Sequence, residues 1–206
     1  MSWIDITIEL SSHVAEWPGD TPFQFETPVT KEMSGSVNIG KIVTSTHIGT
    51  HVDAPYHFDI DGETIEMLDV NRYIGDASII EVTDTEVISV SDLEQHNIQG
   101  TILLIKTDGA KDKSKFPVDV PTLSLEAVTY LNEKGIKLFG IDVPSVDKVD
   151  SKSLDVHHAL YKNDIMIIEN IVLDETPSGY YDFIALPLKI KGADGSPVRA
   201  VVRRKE

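Results

Sequence analysis

The chain has 206 residues, 41% of them hydrophobic and 25% charged, which fits one soluble globular domain, 1–206, with enough material to bury a core. Its net charge of −16, from 18 basic and 34 acidic residues, argues against nucleic acid as a partner, because affinity for phosphates comes from Lys and Arg. With no cysteine, the chain has no disulfide, thiolate ligand or cysteine nucleophile, so any metal must sit on His, Asp and Glu.

The predicted elements mix strands and helices. WIDITIE (3–9) alternates as a half-buried strand does, and KIVTSTH (41–47) is a β-branched strand running into a histidine-rich stretch. ASIIEV (77–82), TILLIK (101–106) and IKLFGIDV (136–143) are apolar runs of strand length. Between them SDLEQHN (91–97) and LSLEAVTYLNEKG (123–135) read as helices, the second with Leu125, Val128 and Leu131 at three-residue spacing, a Ser124 or Thr122 cap and a Gly135 stop. SKSLDVHHALYKN (151–163) is a third helix, followed by the strand IMIIEN (165–170) and two closing strands, YDFIALPLKI and SPVRAVVRR. The fold class is α/β, in the mixed α+β sense, with layered strands and helices. No apolar run approaches the roughly 20 residues of a membrane span, and MSWIDITIEL lacks a basic leader, so the expectation is a cytoplasmic protein with no membrane partner.

The stretch THIGTHVDAPYHF (46–58) carries the chemistry. His47, His51, Asp53 and His57 are all odd-numbered, so an extended chain turns them to one side. A helix is opposed by Pro55 and would swing Asp53 about 200° from His51. A straight strand, however, parts residues four apart by about 13 Å, too far for two imidazoles to share one ion. The chain must therefore bend, and Gly49 is where it bends most cheaply, with Thr46 and Thr50 able to fasten the bend through their hydroxyls. Pro55 stiffens the exit and presents His57 apart from the others.

A second cluster lies in DVHHALYKNDIMIIEN, where His157 and His158 share a predicted helix and Glu169 ends an apolar strand. Adjacent helical residues point about 100° apart, so only one of the two histidines faces a given site. A carboxylate after four apolar residues needs a cation or a strong donor if buried. Together the clusters point to two divalent ions bridged by Asp53, with His47 and His51 on one and His157 with Glu169 on the other. His57, left unligated, suits general acid and base work on an amide, ester or lactam.

At H-x-G-T-H-x-D-x-P-x-H the sequence resembles the metal-dependent cyclase-like hydrolase family, and within it the bacterial kynurenine formamidase (arylformamidase) subgroup. The resemblance extends over EWPGDTPF (16–23), SGSVNIGK (34–41), GIDVPSVD (140–147), HHALYKNDIMIIENIVLD (157–174) and DGSPVRA (194–200). It implies a swivelling β/β/α domain assembled as a homodimer or larger. It implies His47, His51 and Asp53 on one zinc, and Asp53, His157 and Glu169 on the second. His57 matches the proton donor and acceptor, and Trp17 a substrate contact. The implied reaction is hydrolysis of N-formyl-L-kynurenine to L-kynurenine and formate in tryptophan breakdown, by a metal-activated water. An isatin-type lactam hydrolase keeps the same ligands and is the enzymatic alternative, and a non-catalytic metal-binding protein is the alternative from another class. Mn²⁺ or Co²⁺ suits the same donors as Zn²⁺. Outside these clusters, GIDVPSVD reads as a strand-terminating turn that could line a pocket, and DGSPVR as a hairpin turn, with Arg199 a weak candidate for a substrate carboxylate.

Overall fold

The computed structural model describes residues 2–205. Its strands are β1 (Ile4–Asp5), β2 (Gln24–Val29), β3 (Ile39–Val43), β4 (His51–Asp53), β5 (Ile74–Glu81), β6 (Val87–Ile88), β7 (Ile102–Lys106), β8 (Thr122–Leu123), β9 (Leu138–Ile141), β10 (Met166–Glu169), β11 (Gly179–Ile184), β12 (Gly195–Pro197) and β13 (Val201–Arg204). The helices are α1 (Lys31–Ser34), α2 (Val90–Leu93), α3 (Leu125–Glu133) and α4 (Asp155–Lys162).

Nine strands form one mixed sheet in the order β1-β13-β11-β5-β7-β9-β10-β4-β12. Its centre, β5-β7-β9-β10, is parallel and both flanks are antiparallel. Parallel strands are covered on both faces and so read as unbroken apolar runs, which is why ILLIK and MIIE are legible as strands. Strands β12 and β13 sit near opposite ends of that order, yet only residues 198–200 join them. Such a link, four Cα steps from Pro197 to Val201, spans at most about 14 Å, so the sheet must curl until its ends nearly meet. Ile8 N–H to Thr50 Oγ1 and the Pro187–Val198 bridge join the segments after β1 and β11 to the β4–β12 end.

One apolar core fills the curl, with Ile6, Val52, Tyr73, Ile168, Tyr181 and Phe183 all nearly inaccessible. A second lies between the sheet's outer face and the helices and contains Leu103, Phe139, Val128, Leu131, Val156 and Leu160. Helix α3 begins where Ser124 Oγ accepts the Ala127 N–H at 3.1 Å and stops at Gly135, whose φ is +79°. Its buried face is Ala127, Val128 and Leu131, whereas Leu125 faces solvent.

Five predicted elements differ from the fold, and one of them is YDFIALPLKI, which is strand, within β11, only as far as Ile184. The strand over 3–9 keeps its alternation, with Ile6 and Ile8 buried, but its regular ladder covers only Ile4–Asp5: beyond the Ile6 N–H to Ala200 O bond, the Thr7 hydroxyl takes the Ala200 N–H and also donates to the Ala200 carbonyl. The strand over 41–47 ends at Val43 and gives way to a turn before His47. The helix over 91–97 is a single turn closed by a Ser89–Asp92 capping box. SPVRAVVRR falls into two strands, β12 and β13, and the overlapping DGSPVR (194–199) contains the edge strand β12, Gly195–Pro197, paired with β4 rather than a hairpin turn.

Candidate functional site

The histidine-rich bend lies at the open side of the curled sheet. Gly49 takes φ +58°, which most side chains resist, and the turn over residues 46–50 folds His47 back over the end of β4. Thr50 fastens it, donating to Asn170 O at 2.6 Å and accepting the Ile8 N–H at 2.9 Å. Thr46 instead donates to a side chain, Asp194 Oδ1, at 2.7 Å. Within β4 the period-two rule separates the faces: Val52 packs into the curl, while His51 and Asp53 turn to the site. Glu169 sits directly opposite His51 in the β4–β10 ladder, and Ile168 opposite Val52, so the two strands deliver their polar residues to one face.

Five side chains converge there. His47 Nδ1 lies 3.0 Å and His51 Nε2 3.5 Å from Asp53 Oδ1. His157 Nε2 lies 3.5 Å from Asp53 Oδ2 and 3.7 Å from Glu169 Oε1, and His51 Nε2 is 3.4 Å from Glu169 Oε2. Two triads share Asp53, His47 with His51 and Asp53, and Asp53 with His157 and Glu169, each close enough to share one ion, and a third group, His47 with the more exposed His57 and Asp194, is equally close. The five converging side chains are buried except His47, which is partly so. Of the neighbouring pair on α4, His157 turns inward and His158 outward, as their angular offset requires.

The donors are oriented from behind. His51 Nδ1 is 2.9 Å from Gly49 O, which fixes the proton there and leaves the Nε2 lone pair facing the cluster. For His157 the same service comes from Asp147, whose Oδ2 is 2.7 Å from Nδ1. Asp147 also accepts the backbone N–H groups of Val156 and His157 at 3.1 and 3.0 Å, so one carboxylate caps α4 and aims its histidine. Glu169 Oε1 accepts the Val146 N–H at 2.8 Å. GIDVPSVD therefore supplies Asp147 and Val146 to the cluster, and Pro144 and Ser145 to the cavity wall.

Asp53 Oδ2 is buried without a hydrogen-bond partner, an arrangement that is costly unless a cation meets it. Buried imidazoles and carboxylates that converge with lone pairs inward fit divalent ions of the Zn²⁺ class. The charge balance agrees. Burial opposes a proton on His47, but Asp194 and Asp53 outweigh it and push its pKa up to about 10. Burial likewise opposes a charge on His157, and Asp147, Asp53 and Glu169 raise it to about 10. Burial also works against the Asp53 carboxylate, yet His157 and His47 hold it well below the usual range. Without an ion, then, protons on histidine do the neutralising that a cation does better.

Beside the cluster is a cavity of about 220 Å³ lined by Trp17, Phe116, Leu154, His57, Ser145 and Asn170 among others. Trp17 and Phe116 meet edge to face, centroids 4.9 Å apart at 74°. Trp17 is 37% exposed and belongs to no core cluster, so it is not a packing anchor. Pro55 opens a short 3₁₀ turn, Pro55–His57, that carries His57 to the cavity wall with a third of its side chain exposed. Asp194 was missed in the sequence. It lies 3.0 Å from His47 Nε2 and 3.6 Å from His57 Nδ1, and the two imidazoles hold it well below the ordinary carboxylate range. Gly195 after it is obligatory for another reason: a Cβ there would stand 2.8 Å from His47 Cε1. Arg199 points away and pairs with Asp5 on the surface.

Comparison with known proteins agrees with this geometry. The Cyclase family model, described as "Putative cyclase", matches residues 4–148. A kynurenine formamidase of Bacillus cytotoxicus is 50% identical over 202 residues, 98% of this chain and 97% of its own. A solved structure described as a potential metal-dependent hydrolase with cyclase activity superimposes with a TM-score of 0.81 at 25% identity, covering 100% of this chain and 98% of its own. Isatin hydrolase A from Ralstonia solanacearum shares the fold, with a TM-score of 0.80 at 21% identity over 99% of this chain and 92% of its own. The chain belongs to the Cyclase family of hydrolases, with kynurenine formamidases among its half-identical relatives.

Proposed function

We propose that the chain hydrolyses N-formyl-L-kynurenine to L-kynurenine and formate in tryptophan breakdown. The observation that carries the reading is the five-donor cluster around an unsatisfied Asp53 oxygen, opening onto an aromatic-walled cavity, in a chain half identical to kynurenine formamidases. His47, His51 and Asp53 hold one divalent ion, and Asp53, His157 and Glu169 a second, with Zn²⁺ the best match and Mn²⁺ or Co²⁺ compatible. Ions in such a pair lower the pKa of water and polarise a carbonyl oxygen.

The chain's own groups supply the rest. Trp17 and Phe116 offer aromatic surface to the substrate's ring, which places the formyl group towards the donors. In the reaction an oxygen–carbon bond forms at the formyl carbon, the carbon–nitrogen bond breaks, and the aniline nitrogen needs a proton. His57, on the cavity wall and outside the two triads that share Asp53, takes the proton from water and delivers it to that nitrogen.

Parallel assays with N-formyl-L-kynurenine and isatin, with added divalent ion and with chelator, test the reading. Chelator-sensitive release of kynurenine and formate, with slower turnover of isatin, is expected. Turnover of neither substrate overturns it, and isatin as the faster substrate moves the chain to lactam hydrolysis.

The reading extends to a homodimer or larger assembly in the cytoplasm. Among the described residues no helix is long and apolar enough to cross a membrane. The β2–β3 hairpin stands clear of the main sheet, with Phe25, Ile39 and Ile42 exposed by 62%, 52% and 60%. A lone two-stranded hairpin is marginal in water, and a second copy of the chain is the cover this apolar arm fits. Sedimentation velocity checks it, and a monomer at assay concentration contradicts it.

A further inference from the structure

Asp194 lies outside both triads that share Asp53, yet it is fixed more firmly than a turn residue needs to be. It immediately precedes β12, which pairs with β4 and places Gly195 opposite Asp53, and its carbonyl accepts the Ala54 N–H at 2.8 Å. Its Oδ1 is held by the Thr46 hydroxyl at 2.7 Å, which aims Oδ2 at two imidazoles. That oxygen is 3.0 Å from His47 Nε2 and 3.6 Å from His57 Nδ1. The His47 and His57 rings themselves are in contact, centroids 3.9 Å apart and tilted by 37°.

His57 occupies the wall between two spaces. On one side is the cavity shared with His51, His157 and Glu169, and on the other an open depression lined by Tyr56, Leu154, Gly192 and Asp194. Nothing else described holds its ring by hydrogen bond or ion pair: its one ionic neighbour is Asp194. A histidine that exchanges protons with substrate must keep one nitrogen tied and the other presented, or its tautomer and direction are left to chance.

We propose that Asp194 is the positioning residue for His57. Its Oδ2 accepts from His57 Nδ1–H and leaves Nε2 to face the substrate, while the same oxygen steadies His47 through Nε2–H; a carboxylate oxygen has lone pairs for both. The 3.6 Å separation closes when substrate enters, as such contacts commonly tighten on binding. The inference rests on the acid–base role given to His57 above. Thr46, Asp194 and Gly195 then form one device: hydroxyl, carboxylate and the missing side chain that lets His47 approach.

The test uses the ion-loaded protein and the variants Asp194→Asn, Asp194→Glu, His57→Ala and the Asp194→Asn/His57→Ala double. With divalent ion in excess so that the sites stay filled, Asp194→Asn is expected to lower kcat roughly 10- to 100-fold, part of what a general acid–base contributes, with KM little changed, while ion affinity falls separately through His47. The double variant is expected to be no slower than His57→Ala alone, and Asp194→Glu to recover part of the rate. Multiplying effects in the double variant overturn the proposal, as does a rate loss wholly accounted for by lost ion, which would leave Asp194 serving His47 only. Nitrogen NMR of the His57 ring gives a readout free of turnover: an Nδ1–H tautomer in the parent that is lost in Asp194→Asn is expected, and the same tautomer in both contradicts it. If the parent hydrolyses no aryl formamide, the functional reading fails, and the NMR result still decides whether Asp194 sets the ring.

Discussion

The two triads meet at Asp53 but are built in opposite ways. His47, His51 and Asp53 come from seven consecutive residues and depend on one backbone bend at Gly49, whereas His157 and Glu169 come from α4 and β10 and are aimed by Asp147 and the Val146 N–H. In the local half one short bend brings the donors together, with Asn170, Ile8 and Asp194 only fastening it, and even the hydrogen bond that sets the His51 tautomer comes from the carbonyl of Gly49. In the assembled half every position depends on tertiary structure. The local half should therefore be sensitive to backbone substitutions, and the assembled half to loss of supporting side chains.

The largest effect is expected where the halves join. Asp53→Asn removes the shared carboxylate, and losing several kcal/mol of charge stabilisation corresponds to roughly a thousandfold or more in kcat. Rates within tenfold of the parent would show that Asp53 is not shared. Next comes a pH dependence that reflects both halves. In the ion-free protein His47 and His157 keep their protons up to about 10, against about 6.5 unfolded, so their contribution to stability is complete below 6.5 and disappears as pH rises towards 10. Ions replace those protons, so the melting-temperature gain on adding Zn²⁺ should grow between pH 6.5 and 9. A gain that shrinks over that range would contradict the protonated ion-free state.

Asp147→Asn separates the halves. It leaves His157 without its carboxylate and should weaken one ion by about 10- to 100-fold while sparing the other, seen as one ion removed at lower chelator concentration than in the parent. Equal weakening of both would mean that the halves are not independent. The smallest effect is Gly49→Ala, which forces a side chain into φ +58° and against Leu10, and should cost about 1–2 kcal/mol in denaturant unfolding. No loss there would remove the bend as the organising feature of the local half.

This contrast also explains what the sequence makes legible. The local triad can be read because spacing, glycine and proline lie within one short stretch, and a straight strand is excluded by distance alone. The apolar strands β7, β9 and β10 are legible through two-sided burial. Asp147 and Asp194 are not legible, because each sits in a segment with turn chemistry, V-P-S-V-D and A-D-G-S-P, and a lone Asp before a helix or a glycine reads as a cap or turn residue. Their roles arise only when α4 packs beside β10 and when β12 pairs with β4, and a single sequence does not specify such pairings. The closing of the sheet was hidden for the same reason, since β12 and β13 read as one strand until their partners are known.

Metal content addresses the central claim most directly. Native mass spectrometry of the parent and of Asp53→Asn, each saturated with Zn²⁺ and freed of excess, counts the ions each chain retains. Two ions in the parent and at most one in the variant are predicted from a carboxylate shared by two triads. A parent that retains none, or a variant that still retains two, would contradict it.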